Sequence, residues 1–299
     1  MKTIFKGLAI AIAFISLCAC SKDINVSSTH EENSTLNLSF FESNIQEIAK
    51  SRADESTTKS LKDVFTRLDI AIFPVPDSKN KQVYRYHQTT NDENFGKLSI
   101  RIPVGRYKLV AIASKASKEI DLSDSTLATF PEKIVTDMAY VSQDINIQSS
   151  TSNATCLLKR ALTKFSLQST DKAFSDIASI KMKLTGKCNY SFNPFTGYGV
   201  DEGEKIMQKE WTGFTEKTGT VGLSFFLFIP SDKETVSVDI EVIDQKGKTI
   251  KSLHFDNVTL QQNHVTTYTG PMFTADNMTE FTFASTDLTK SDYDTTFTE

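Results

Sequence analysis

Leu98-Ser99-Ile100-Arg101-Ile102-Pro103-Val104-Gly105-Arg106-Tyr107-Lys108-Leu109-Val110-Ala111-Ile112-Ala113 is the stretch that decides the fold class. Leu98, Ile100 and Ile102 alternate with polar residues, which puts every second side chain on one face of an extended chain. Pro103-Val104-Gly105 then turns the chain into a second apolar run. Glycine permits a positive φ at such a turn. Tyr107 enters the second strand where its ring can fill the end of a β-sandwich and its hydroxyl can bond the backbone.

The same period of two recurs on both sides of this stretch. Leu36, Leu38 and Phe40 alternate with Asn37 and Ser39, and Leu68, Ile70 and Ile72 alternate before Phe73-Pro74-Val75-Pro76-Asp77. Further runs are Ile145/Ile147, Phe165/Leu167, Ile180/Met182/Leu184 and Tyr190/Phe192. The longest are Val221 to Ile229 and Val236 to Val242. Period two over short runs bounded by Gly, Pro, Asn, Asp and Ser is the pattern of half-buried strands. Pro76-Asp77-Ser78-Lys79-Asn80 and Gln245-Lys246-Gly247-Lys248 supply turns between such runs. Two short helices fit the residues around 44–50 and 172–176, and no long amphipathic helix is present in the pattern. Many short, regularly spaced strands predict an all-β chain of sandwiches.

The length exceeds the roughly 100 residues of one seven-stranded sandwich, so the reading divides the chain. Ser149-Ser150-Thr151-Ser152-Asn153 is the most polar linker candidate. The first sandwich is expected over 34–153, the second over 154–286, and a frayed Thr- and Asp-rich tail over 287–299.

The N-terminal end carries an address. Lys2 and Lys6 precede a run from Gly7 to Leu17 that is apolar almost throughout and too short to span a bilayer. Leu17-Cys18-Ala19-Cys20 follows and looks like the lipobox of bacterial lipoproteins. That resemblance implies a signal peptide over 1–19, cleavage before Cys20, and acylation of Cys20 on its thiol and new amino group. Palmitate and its companions would then hold the protein at a membrane, since two or more chains anchor stably. Ser21-Lys22-Asp23 partly resembles the lysine-plus-acid signal that sends Bacteroidales lipoproteins to the outer face of the outer membrane. Residues 20–33 are polar and aperiodic and read as a tether.

Composition narrows the function classes. Charged residues are 23% and apolar residues 39%, ordinary for a globular protein, and the net charge is −4. Without a basic cluster, nucleic acid is not an expected partner. His30, His87, His254 and His264 are scattered without ligand spacing, so no metal or other cofactor is expected. Cys156 and Cys188 remain after the signal. An exported location permits a disulfide between them, and two buried free thiols are the other reading. The chain has no nucleophile elbow, no His-Glu-x-x-His and no phosphate loop, and acid pairs such as Asp201-Glu202 and Asp292/Asp294 lie in polar stretches. Catalysis is therefore not expected. Asp124-Ser125-Thr126 and Asp294-Thr295-Thr296 resemble Bacteroidales O-glycosylation sites. Trp211, the one tryptophan, is the best residue for a glycan-binding surface lipoprotein, which is the alternative function; a place on a core rim is its other reading.

Several segments together resemble one family. They are Leu68-Asp69-Ile70-Ala71-Ile72-Phe73, the run from Phe95 through Pro103-Val104-Gly105-Arg106-Tyr107 to Ala111, and Thr136-Asp137-Met138-Ala139-Tyr140. After them come Leu158-Lys159-Arg160-Ala161-Leu162-Thr163-Lys164-Phe165, Asn193-Pro194-Phe195-Thr196-Gly197 and the run from Asn263 to Gly270 with Met272-Phe273-Thr274. In this order, behind a lipobox, they look like the fimbrillin-like lipoproteins of Bacteroidales, most like the FimB/Mfa-type fimbrial subunits of type V pili. Met138-Ala139-Tyr140 departs from the Thr-Phe-Tyr often found there. The resemblance implies two transthyretin-like β-sandwiches and no enzymatic activity. It also implies other fimbrial subunits and the outer membrane as partners, and assembly by strand exchange. In that scheme an arginine-specific cut releases the lipid and the first strand of shaft subunits, while anchor subunits keep their lipid. Arg52, followed by Ala53, is a candidate cut site placed behind the strand Leu36 to Phe40; a solvated loop arginine is the plainer reading.

Overall fold

The computed structural model describes residues 33–42, 60–75, 81–173, 176–214, 220–274 and 281–288. The first half contains β1 (Asn33–Glu42), β2 (Arg67–Pro74), β3 (Tyr84–Thr89), β4 (Lys97–Pro103), β5 (Gly105–Ser114), β6 (Asp121–Asp124), β7 (Leu127–Thr129), β8 (Met138–Ile147) and β9 (Ser152–Leu158). The second contains β10 (Thr163–Lys172), β11 (Ile177–Gly186), β12 (Ser191–Phe192), β13 (Lys205–Thr212), β14 (Thr220–Leu227), β15 (Lys233–Asp244), β16 (Thr249–Gln261), β17 (His264–Gly270) and β18 (Thr282–Asp287). The helical elements among the described residues are two single 3₁₀ turns, Leu61–Asp63 and Pro131–Lys133. The chain is all-β.

Each half is a sandwich with its own core. In the first, the sheet β4-β1-β9 packs on the sheet β3-β2-β5-β8. Leu38 and Phe40 of β1 meet Ile70 of β2, Leu109 of β5 and Val141 of β8 between them. In the second, β14-β10-β17-β18 packs on β13-β11-β15-β16 around Phe165, Leu184, Leu223 and Ile240. The turn at residues 245–248 closes the β15–β16 hairpin. Asp244 Oδ1 accepts from the amides of Lys246 and Lys248 at 2.9 and 2.8 Å, and Gly247 takes φ 79°.

Tyr107 is fully buried, and its hydroxyl donates to the Pro103 carbonyl at 2.9 Å. Gly105 takes a positive φ, as the turn allows, but at 158° it is near extended. β4 and β5 belong to opposite sheets, and the chain needs only to cross the sandwich edge.

A third apolar cluster joins the halves. The short sheet β12-β7-β6 pairs Phe192 of the second half with Ala128 of the first. Val110 and Ile112 of β5, Phe130, Tyr140, Phe192 and Phe228 pack together here. Phe192 and Phe228 stack at 4.7 Å between centroids, and Tyr140 meets Phe192 edge-on at 5.2 Å. Both faces of β5 are thus covered, which is why Leu109 to Ala113 run apolar without alternation. Gly197, at φ 82°, lies against the Tyr140 hydroxyl, where a Cβ would collide.

The expected domain break between 153 and 154 falls inside β9. That strand runs parallel along β1, from Leu36↔Ser152 to Glu42↔Leu158. The polar residues there face water from the outer side of a sheet, and the passage between sandwiches is the shorter segment 159–162. Of the two expected helices, 44–50 lies outside the described residues, and Lys172 is the last residue of β10. Residues 289–299 of the expected tail also lie outside.

Candidate functional site

β1 is the middle strand of its sheet. It pairs antiparallel with β4, from Asn33↔Pro103 to Ser39↔Lys97, and parallel with β9. Ser34, Leu36, Leu38, Phe40 and Glu42 face inward and are all buried. Burial of the three apolar side chains contributes about 6 kcal/mol. On the outer face Asn37 ties both neighbours: its amide donates to Asn153 Oδ1 at 3.0 Å, and its oxygen accepts from the Ser99 hydroxyl at 2.7 Å. Phe41 and Leu157, paired across β1 and β9, are exposed beyond it.

Among the described residues, four charged groups close the C-terminal end of this slot, each at a strand end. Glu42 is the last residue of β1, Lys115 follows β5, Asp137 precedes β8, and Arg160 follows β9. Arg160 donates through Nε to Glu42 Oε1 at 2.8 Å, with its Nη2 also at 2.8 Å. Its Nη1 donates to Asp137 Oδ1. Lys115 Nζ is 3.5 Å from Asp137 Oδ2, an ion pair without a hydrogen bond. The guanidinium carbon lies 5.0 Å from the Phe65 ring centroid. Side-chain exposures of 10% for Arg160, 8% for Glu42 and 2% for Asp137 place these charges largely out of water, where each needs its partners.

The comparisons with known proteins bear on the chain as a whole. A sequence profile, that of the "Family of unknown function (DUF6562)", matches residues 26–286. The chain belongs to this family. No curated protein matches it in sequence. Among solved structures it is similar to a candidate adhesin from Bacteroides ovatus at 12% identity, covering 81% of this chain and 88% of that one, with a TM-score of 0.48. It is similar to the fimbrial anchor protein Mfa2 from Porphyromonas gingivalis at 9% identity, covering 85% and 98%, with a TM-score of 0.44. A candidate cell adhesion protein from Bacteroides uniformis is 15% identical over 86% of this chain and 100% of that one, with a TM-score of 0.46. At these identities and scores none of the three assigns a function.

In this family member the sequence-derived candidates divide sharply. Cys20, Arg52 and Ala53 lie outside the described residues. Cys156 and Cys188 are free and buried. The disulfide between them is not formed, because Cys156 belongs to the first core and Cys188 to the second. Burial pushes both thiols up to about 12, so neither is a thiolate near neutral pH. Trp211 pairs with the buried Ile180 and packs on the rim of the second core, with Lys209 Nζ 5.0 Å from its ring centroid. It is half-buried, the core-rim place that was its other reading. Asp201 and Glu202 are held below the usual carboxylate range, Asp201 by the Gly203 amide and Lys187, Glu202 by Lys205 and Asn189. Asp292 and Asp294 lie outside the described residues. Asp124 is held low by the Thr126 amide and hydroxyl at 2.7 and 2.8 Å.

A shallow trough of about 390 Å³ on the outer face of the second sandwich is lined by Lys181, Lys183, Asp239, Glu241 and His254, among others. Its charges pair across strands, as Lys183 with Asp239 at 3.8 Å and His254 with Asp239 at 2.6 Å. Hydrogen bonds to Asp239 and Asp256 hold the exposed His254 above its ordinary value. No group of three or more His, Cys, Asp or Glu among the described residues could hold a metal ion. No helix among them is long and apolar enough to cross a membrane. Asp137 and Arg160 stand in the sequence only as parts of motifs. Their pairing with Glu42 leaves no local signal, because Glu42 and Arg160 are 118 positions apart.

Proposed function

We propose that the chain is a lipid-anchored cell-surface fimbrial subunit of the FimB/Mfa type, an anchor or accessory component that supports assembly and adhesion by strand-exchange polymerisation and has no catalytic role. Its partners would be other fimbrial subunits and, through Cys20, the outer membrane. The observation that carries this is the place of β1. It is the first described strand after the lipobox, it is central and buried, and the segment behind it contains Arg52. One cut there would separate the lipid and β1 together from the rest of the chain. A sheet that loses its middle strand exposes two rows of backbone donors and acceptors and an apolar groove, which a strand from a neighbour satisfies. Retained, the same strand keeps the lipid attached to a folded sandwich, which is what an anchor requires.

Mass spectrometry of the mature N-terminus from native cells tests it. An acylated Cys20, together with co-purification of the protein with sheared fibres, is the expected result for an anchor. A new terminus at Ala53 marks a processed, polymerising subunit. An unmodified N-terminus, with absence from both the cell surface and the fibres, overturns the proposal.

A further inference from the structure

We infer that Arg160, held between Asp137 and the end of β1, is a carboxylate-recognition site that selects the strand able to replace β1. The selected partner is an extended segment of another polypeptide with apolar side chains at alternate positions and an acidic side chain two residues past the last of them. This rests on the strand exchange proposed above and specifies its partner.

The inward face of β1 reads Ser34, Leu36, Leu38, Phe40, Glu42. Alternating apolar residues are common to half-buried strands, so the groove alone discriminates poorly. The acid is the distinguishing feature. Glu42 is buried to 6% exposure and meets Arg160 through two nitrogens. Arg160 is oriented without help from β1. Asp137 accepts from its Nη1, Phe65 lies under its guanidinium, and the neighbouring Lys159 is bonded both ways to the Tyr140 backbone at 2.8 Å. The receptor is thus preorganised, and little freedom is lost when a carboxylate arrives. Departure of β1 takes from Arg160 the Glu42 carboxylate that two of its nitrogens meet. The vacated end of the slot then favours an anion over a neutral or apolar side chain.

The test uses the full chain with a single specific-protease site inserted between residues 43 and 59, nicked so that β1 is held without a covalent link. Fluorescent peptides of residues 33–42, amidated at the carboxyl end, compete for the slot, one native and one carrying Glu42→Gln. Fluorescence polarisation reads their affinities. The native peptide is expected to bind at least about ten-fold more tightly, the scale of a lost buried charge-assisted bond. The preference is expected to vanish in a nicked Arg160→Gln/Asp137→Asn protein whose circular dichroism stays native. Equal affinity of the two peptides for the unmodified protein overturns carboxylate selection and leaves strand exchange standing. A preference that survives the double substitution overturns the role of Arg160. If neither peptide enters the slot, strand exchange and the selection built on it both fall. The comparison on the unmodified protein decides even where the double variant does not fold.

Discussion

Asp69 shows burial outweighing an ion pair. Its carboxylate accepts from Arg67 Nε at 2.8 and 2.9 Å and from the Ile120 amide at 3.2 Å, yet it is only 2% exposed. Loss of water pushes its pKa up to about 6, against the pull of Arg67. A pKa raised on folding means that the protonated form is favoured in the native state. The stabilisation this gives is fully present below about pH 4 and is lost as the pH rises through about 6, a change of roughly 3 kcal/mol for a shift of about two units. Carbon-13 NMR is expected to show the Asp69 carboxyl titrating near 6, and Asp69→Asn should flatten the stability profile between pH 4 and 6. A midpoint at or below 4 refutes this. Asp171 behaves in the opposite way. The amides of Met272, Phe273 and Thr274, each at 2.7 Å, outweigh its partial burial and hold it low. Its stabilisation is present above the ordinary carboxylate range and is lost in acid, so Asp171→Ala should cost about 1–2 kcal/mol at pH 7 and little at pH 2. Urea titrations at the two pH values compare them. At Gly197, alanine meets both a left-handed backbone and the Tyr140 hydroxyl, and Gly197→Ala should destabilise by about 2–3 kcal/mol in the same assay.

Among the elements, β1 concentrates the functional reading. Its alternation was legible in the sequence, because period two is a property of neighbouring residues. Its partners were not. Pairing with β4 and β9 joins residues far apart in the chain, and local pattern carries no information on which strand lies alongside. The same limit explains the misplaced domain break: Ser149 to Asn153 has a linker's composition, but Asn153 lies opposite Asn37 and shares its hydrogen bond. Leu38→Ala should lower stability by about 3 kcal/mol, since the residue is 1% exposed between two sheets. Asn37→Ala, on the wet face, should cost about 1 kcal/mol. Equal losses at the two positions, read by chemical denaturation, count against a one-sided burial of β1.

For the whole molecule, the third cluster makes the sandwiches interdependent. Phe228 is fully buried and stacks on Phe192, while Phe192 continues a sheet begun by β6 and β7 of the first half. Calorimetry is expected to give one unfolding transition for both sandwiches, and Phe228→Ala, at about 3–5 kcal/mol, should separate it into two. Two transitions in the unsubstituted protein refute the coupling. The all-β class, most strand positions, the hairpin turn at 245–248 and the burial of Tyr107 follow from residue order, because periodicity and turn chemistry act between near neighbours. The folded arrangement alone makes β1 a central strand, puts the two thiols in separate cores, packs Trp211 on the core rim, and brings Glu42 and Asp137 to Arg160. These depend on which strands are brought together, and contacts across 118 positions leave no periodic trace in the chain.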